Sequence, residues 1–410
     1  MKPHGPIPPE FAADAVLTLG GQRFERWIEA AGDTPLYVYD FAIVAARLKA
    51  LRKAMPKALD VHYAIKANPL PELLAAIAPL VDGLDVASAG ELERARGVMA
   101  ADRISFAGPG KRDNELDAAI CAGATINVES FSEAQRALAV GRARGIQPRL
   151  AVRVNPDFEL RGSGMKMGGR ASPFGVEAEH VPELVRMIRA GGADWRGFHI
   201  FAGSQSLDTQ AIIDTQAATL DLAARLVKQA GAVPPLVNLG GGFGIPYFPG
   251  DLPVDVAAIG QALAARLRKL PKSLKGARFA IELGRWIVGE SGVYLARVVD
   301  RKNSGGETFV IVDGGLNHHL AATGNFGTVV KRNYPVALAH RMQDAGEEVV
   351  TVVGPLCTPL DRLADRVLLP KVNVGDVIAI FASGAYGASA SPGAFLGHAP
   401  VREMLVNIPG

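Results

Sequence analysis

The octet Val61-His62-Tyr63-Ala64-Ile65-Lys66-Ala67-Asn68 ends a β-rich run in a primary amine, and an apolar, helix-like stretch begins near Leu70. A lysine held at a strand terminus and partly desolvated has a lowered pKa and can form a Schiff base with an aldehyde. The alternative for Lys66 is a solvated amine that closes a strand, since most lysines are exposed. Two later segments carry complementary chemistry. Gly240-Gly241-Gly242-Phe243-Gly244 offers backbone N–H groups with no side chains to block a close approach, as an anion nest requires. Glu282-Leu283-Gly284-Arg285 adds a carboxylate and a guanidinium, the latter suited to phosphate. In isolation the glycine cluster can be a turn, and Glu282 a strand-end acid paired with Arg285.

Regular structure has to bring these groups together. From about residue 60 to 285, β-like runs occur at 60–66, 83–88, 103–107, 124–129, 149–154, 195–202, 236–239 and 278–283. Helix-like stretches at 71–80, 91–99, 131–143, 181–189, 211–228 and 254–270 lie between them. Eight strands alternating with helices predict an α/β fold, a (β/α)₈ TIM-like barrel, with a doubly wound open sheet as the alternative. No helix is expected after strand eight, and 42–54 is expected to close the outer ring instead. Beyond residue 290, β-runs at 292–301, 308–313, 348–353, 366–369, 377–382 and 404–407 predict a C-terminal β-sheet or β-barrel domain. The early runs 15–19 and 36–39 are expected to join it. The expected division is an N-terminal segment 1–40, a barrel 41–285 and a β domain 286–410. The Pro/Gly-rich first ten residues are expected to be mobile, and 315–328 to be a long loop.

In such a barrel the chemistry gathers at the C-terminal strand ends, and phosphate binds at the loops after strands seven and eight. Lys66 follows strand one, the glycine cluster follows strand seven, and Arg285 follows strand eight. That set fits pyridoxal 5'-phosphate. Lys66 would hold the aldehyde carbon, and Glu282 would keep the pyridine nitrogen protonated, which strengthens the ring as an electron sink and suits decarboxylation.

Composition narrows the setting. The chain has 410 residues, 49% of them hydrophobic and 21% charged, as in globular proteins. A net charge of +3 without a basic run argues against nucleic acid as a partner. The N-terminus lacks the apolar core of a signal peptide, and no stretch is long and apolar enough to span a membrane. Two cysteines, Cys121 and Cys357, cannot make a disulfide framework. A cytoplasmic location is therefore expected.

Ten segments stand in the order found in fold-type III pyridoxal phosphate decarboxylases, the group of diaminopimelate and ornithine decarboxylases. They are Lys66-Ala67-Asn68, Asp85-Val86-Ala87-Ser88, Asn127-Val128-Glu129-Ser130, Arg153-Val154-Asn155-Pro156, Ser172-Pro173-Phe174-Gly175, His199 to Gln205, Gly240 to Gly244, Glu282 to Arg285, Gly354 to Asp361 and Gly384-Ala385-Tyr386. The resemblance covers residues 35 to 405. It implies that Lys66 bonds the cofactor and that His199 stacks on the ring. It also implies that Ser204, Gly242, Arg285 and Tyr386 contact the phosphate, with Gly241 and Gly284 in the same two loops. Asp85 and Arg153 look like supporting charges near Lys66. Cys357 would reach in from a partner subunit and protonate the reacting carbon after carbon dioxide leaves, so a homodimer with shared active sites is implied. A buried small hydrophobe is the alternative for Cys357.

The resemblance weakens at the substrate. Diaminopimelate and ornithine decarboxylases carry an acid just after the cysteine for the distal ammonium, and here Thr358 stands there. A neutral hydroxyl cannot offset stripping water from an ammonium ion. Where diaminopimelate decarboxylases hold the distal carboxylate with Arg and Tyr, this chain reads His318-His319-Leu320-Ala321. Pro173 replaces a lysine that many relatives use between subunits. Thr358, His318 and Asp361 are therefore the candidate specificity residues. The pattern resembles the branch that decarboxylates aminoacyl groups tethered to a carrier protein, or that accompanies exopolysaccharide and protein-sorting clusters. The expected activity is decarboxylation of an α-amino acid without a distal ammonium, free or carried on a phosphopantetheine arm. The rivals are diaminopimelate decarboxylase, a racemase on the same fold, and a non-enzymatic homologue. Glu282 opposes the racemase, whose family partners the pyridine nitrogen with arginine. Retention of Lys66 and Cys357 opposes the non-enzymatic homologue. Adjacent histidines of an extended chain point to opposite faces, which argues against a metal at His318-His319.

Overall fold

The protein is described by a computed structural model, covering residues 1–160, 162–166, 168–169, 171–326 and 331–408. It divides into two compact units: 48–244 with 254–284, and 1–47 with 245–253 and 285–410.

In the first unit, eight parallel strands close into a barrel. They are β1 (Leu59–Ala64), β2 (Gly83–Val86), β3 (Ile104–Phe106), β4 (Thr125–Val128), β5 (Arg149–Asn155), β6 (Asp194–Ile200), β7 (Leu236–Gly241) and β8 (Arg278–Leu283). Each pairs with its neighbour in chain order, β8 pairs with β1, and no edge is left between β4 and β5. The expected eight runs are these eight strands. The sixth stops at Ile200 rather than 202, and Gly203–Ser206 pairs instead with Ser163–Lys166 outside the barrel.

Helices follow from local chemistry. Ser88 and Ser130, just past β2 and β4, accept the N–H of Glu91 and Glu133 at 3.1 Å and so start helices Ala89–Arg96 and Phe131–Arg144. Asp208 and Asp255 cap Thr209–Ala230 and Val256–Arg268 in the same way. Helix Asp113–Ala122, absent from the expected set, buries Leu116, Ala119 and Ile120. Three alanines among its ten residues give it little apolar contrast. The end of helix Phe41–Ala54 packs on Val256–Arg268, where a Cβ on Gly260 would lie 2.0 Å from the Ala54 carbonyl. The ring is thus closed as expected. Strand β8 is followed by a short helix after all, Arg285–Val288, which turns the chain directly into strand Gly292–Ser304.

The second unit is built on that thirteen-residue strand. Its first half pairs with Leu36–Asp40 and with Val377–Ile380, and its second half with Glu307–Val312. Val336–Leu338, Glu348–Val353, Arg362–Leu369 and Arg402–Val406 complete the sheet. Of the two early runs, 36–39 joins the sheet. Thr18–Leu19 instead pairs with Gln22–Arg23, and the run is tied to the unit by the Leu17 N–H to Ala339 O and the Met342 N–H to Ala15 O, with Leu17 and Leu19 in the same core cluster as Val293 and Phe381. Two expectations need correction. The first residues are anchored, since the Lys2 amide donates to Arg366 O, its amine pairs with Asp365, and His4 bridges Asn333. The barrel unit runs to Gly284 but is interrupted, since 245–253 lie with the β unit, where Tyr247 packs on Tyr334, ring centroids 4.6 Å apart. Residues 315–326 run through turns without helix or strand, and 327–328 of the expected loop fall outside the described residues. Among the described residues no helix is long and apolar enough to cross a membrane.

Candidate active site

In the barrel unit, β1 ends at Ala64 and a single 3₁₀ turn, Ile65–Ala67, presents Lys66 with its side chain about half exposed. Gly284 makes this turn possible, because a Cβ there would lie 2.8 Å from that of Ala67. The Lys66 amine stands 3.9 Å from Glu282 Oε1 and 5.9 Å from the centre of the Phe201 ring. The other oxygen of Glu282 is 2.8 Å from His199 Nε2, and both side chains are buried. Burial opposes the charge on Glu282. The hydrogen bond and charge of His199, helped by Lys66 and Arg153, outweigh it and hold the carboxyl well below the usual carboxylate range. Glu282 is therefore an anion at neutral pH. His199 is engaged edge-on with Glu282, and its buried Nδ1 has no hydrogen-bond partner among the described residues.

Behind this pair lies a buried charge network that the sequence pattern did not single out. Arg153 donates to Glu129 Oε1 at 2.9 Å, so its guanidinium is fixed by Glu129 while its charge still acts on Glu282. Glu129 also accepts the N–H groups of Gly108 and Gly175, and the Arg153 guanidinium lies 5.1 Å over Phe174. Lys111 donates to Gly108 O, Asn127 O and Glu133 Oε1, and Glu133 in turn accepts the Glu129 N–H. Glu129 stood in a quoted segment without a role. Lys111 follows Gly108-Pro109-Gly110 after β3, a position that resembles an ordinary exposed loop. Lys111→Met leaves Glu133 as a buried acid without its cation and is expected to cost about 3–5 kcal/mol of stability, read as a lower urea midpoint at unchanged slope.

The glycine loop is tighter than expected. Gly242 adopts a left-handed backbone (φ +81°) open to glycine, and Gly241 pairs in register with Glu282. Gly240 N donates to Asn238 and Gly244 N to Ser206, which removes both from an anion nest. Ser204, on Gly203–Ser206, is half-buried. Asp85 is buried with His62 beside it and carries one oxygen without a hydrogen-bond partner.

In the β unit, Arg285 is the corresponding organising group. Its NH1 donates to the Tyr247 hydroxyl at 2.8 Å, its guanidinium lies 4.6 Å over the Tyr386 ring, and its buried Nε has no hydrogen-bond partner among the described residues. Burial disfavours the cation, but Tyr247, Tyr386 and Tyr334 hold it protonated above the usual arginine value. Tyr386 itself sits in the left-handed region (φ 55°), a strained conformation for a residue with a side chain. Tyr247 and Tyr334 were not foreseen, since nothing in their local sequence links them to an arginine.

The specificity candidates divide. Cys357 is exposed, and Thr358 accepts the Leu360 N–H through its hydroxyl. Asp361 and His318 are corrected. Both carboxylate oxygens of Asp361 accept backbone N–H groups, from Leu316 at 2.6 Å and Leu356 at 2.9 Å, so it fastens two loops. His318 is buried, with Nε2 2.9 Å from Ala399 O, and burial lowers its pKa. His319 packs against Tyr37, Tyr294 and Tyr334, with burial lowering its pKa to about 3. Both rings serve the core of the unit.

These observations meet the comparisons with known proteins. The family described as pyridoxal-dependent decarboxylase, pyridoxal binding domain, matches residues 41–289, and the chain belongs to that family. It is an enzyme of the decarboxylase class, and its cofactor is pyridoxal 5'-phosphate. It is 36% identical over 402 residues to the L-glutamyl-[BtrI acyl-carrier protein] decarboxylase of Niallia circulans, covering 95% of this chain and 91% of the relative. It is 34% identical to the diaminopimelate decarboxylase of Archaeoglobus fulgidus, over 92% of this chain and 88% of the relative. The solved diaminopimelate decarboxylase of M. jannaschii in co-complex with L-lysine superposes with a TM-score of 0.86 at 26% identity, covering 96% and 92% of the two chains.

The residues present fit the cofactor. A buried arginine Nε in an aromatic sleeve suits a phosphate, and an anionic, hydrogen-bonded Glu282 suits a protonated pyridine nitrogen.

Proposed function

We propose that this enzyme decarboxylates an α-amino acid without a distal ammonium, attached to a carrier protein. Lys66 holds the aldehyde carbon, and Glu282, fixed by His199, keeps a proton on the ring nitrogen. Arg285, Tyr386, Ser204 and the Gly241-Gly242 loop hold the phosphate, with Asp85 and Arg153 as flanking charges. Bound in this way, pyridoxal phosphate supplies the electron sink that stabilises negative charge on the α-carbon as carbon dioxide departs. Cys357, through Sγ–H, would donate a proton to that carbon, and Lys66 would hold the cofactor's aldehyde carbon between turnovers.

Thr358 carries the substrate reading. Its hydroxyl is neutral and already accepts a backbone N–H, so it offers no charge to an ammonium ion. The Niallia circulans relative, named for an L-glutamyl carrier-protein substrate, supports the same reading. Likeness to diaminopimelate decarboxylases favours meso-diaminopimelate as the second reading. Thr358→Glu decides between them. An acid at 358 is expected to raise kcat/KM for meso-diaminopimelate by roughly tenfold or more, the worth of one charge-assisted hydrogen bond. A wild-type rate on meso-diaminopimelate that Thr358→Glu leaves unchanged would sink the proposal.

The enzyme is proposed to work as a homodimer in which Cys357 serves the partner's site, and exposure of Cys357 in the single chain supports this. Mixing inactive Lys66→Ala and Cys357→Ala subunits should then restore activity. Half of the dimers are mixed and each has one intact site, so about a quarter of the wild-type rate is expected. No recovery after verified subunit exchange would remove the shared site.

A further inference from the structure

We infer that His62 is a positioning residue for the cofactor, acting through Asp85 beneath Lys66. The inference rests on the proposed place of Asp85 beside the cofactor. His62 lies in β1 four residues before Lys66, in register with Glu282 of β8 on one side and Gly83 of β2 on the other. Its Nδ1 stands 3.4 Å from each oxygen of Asp85, and Asp85 Oδ2 has no hydrogen-bond partner among the described residues. Both side chains are buried, at 8% and 7% exposure. The ring fits only because residue 83 is glycine, since a Cβ there would lie 2.7 Å from His62 Nε2.

Charge and hydration suit an imidazolium at this position. Four carboxylates act on His62: Asp85 from β2, Asp60 from its own strand, Glu282 from β8 and Asp82 before β2. Burial opposes the charge, but Asp85, then Asp60 and Glu282, outweigh it and raise the His62 pKa above its ordinary value. A cavity of about 150 Å³ reaches His62 from the N-terminal ends of the strands, past Asp60 and Arg278. It is lined by Ser105, Asn127, Ala151 and Asn238, where barrels usually stack bulky branched side chains. At about 30 Å³ each, a handful of waters fit there. His62 can therefore be hydrated from below and paired with Asp85 above. The pair fixes where the Asp85 carboxylate lies inside the barrel. Without the ring, that carboxylate is free to turn, and its influence on Lys66 changes.

Two measurements on the full chain test this. The pH titration of the holoenzyme's visible absorbance reports how tightly the proton on the Lys66–cofactor linkage is held. Asp85→Asn should move its midpoint down by about one unit, a tenfold change in the acid constant. His62→Phe and His62→Gln should move it in the same direction, and either change added to Asp85→Asn should have no further effect. Separately, NMR titration of the histidines should show the His62 pKa falling by about one unit in Asp85→Asn, which needs no substitution at 62. A wild-type midpoint in both His62 variants, additive shifts in the doubles, or an unmoved His62 titration would overturn the inference. An unchanged midpoint in Asp85→Asn would instead overturn the placement of Asp85, and with it the inference.

Discussion

Replacing Lys66 by alanine is expected to abolish carbon dioxide release and the visible absorbance of the bound cofactor together, with the fold intact. Lys66 is about half exposed on a one-turn 3₁₀ segment, with its amine 3.9 Å from Glu282. Its removal therefore costs little packing, and surface substitutions of this kind stay within about 0.5 kcal/mol. The expected loss is chemical, because Lys66 is the amine proposed to bond the aldehyde carbon. Far-ultraviolet circular dichroism and the unfolding midpoint should match wild type while turnover disappears. Residual turnover of more than a trace in Lys66→Ala, with normal folding, would remove Lys66 from the mechanism.

Glu282→Gln should lower kcat by roughly 10²–10³-fold, the usual cost of removing one buried electrostatic contact to the reacting system. Glu282 joins the Lys66 amine and the His199 ring through its two oxygens. A glutamine of the same shape keeps the packing but loses the anion that holds a proton on the pyridine nitrogen. Cofactor should still load, because Lys66 and Arg285 remain. The loss should therefore fall on kcat with a small change in KM. A kcat within a fewfold of wild type would mean that the charge of Glu282 does not serve the ring.

The barrel was legible because β-runs and helices alternate at a regular spacing, and strand ends in such a fold mark the site before any side chain is placed. Lys66, Glu282 and Arg285 could be selected on that ground, and His199 through the family resemblance. What escaped depends on contacts far apart in sequence. Arg153 looked like a charge for Lys66 until its pairing with Glu129 appeared, and no local pattern joins Lys111 to Glu133 across 22 residues. The Tyr247 hydroxyl meets Arg285 across 38 residues, from a segment that reads as part of the barrel. Asp361 illustrates the opposite error. An acid beside Thr358 suggests a substrate contact, yet two backbone amides consume it. Short polar side chains in tight loops often bond locally, and sequence does not distinguish that use from recognition.

The paired rates of carbon dioxide release from meso-diaminopimelate and from an L-glutamyl thioester on a carrier protein, measured on one preparation of cofactor-loaded wild-type enzyme, test the central claim most directly. The neutral Thr358 predicts release from the carrier-linked substrate and a much lower rate from meso-diaminopimelate. The reverse order, with rapid turnover of meso-diaminopimelate and none of the thioester, would contradict it.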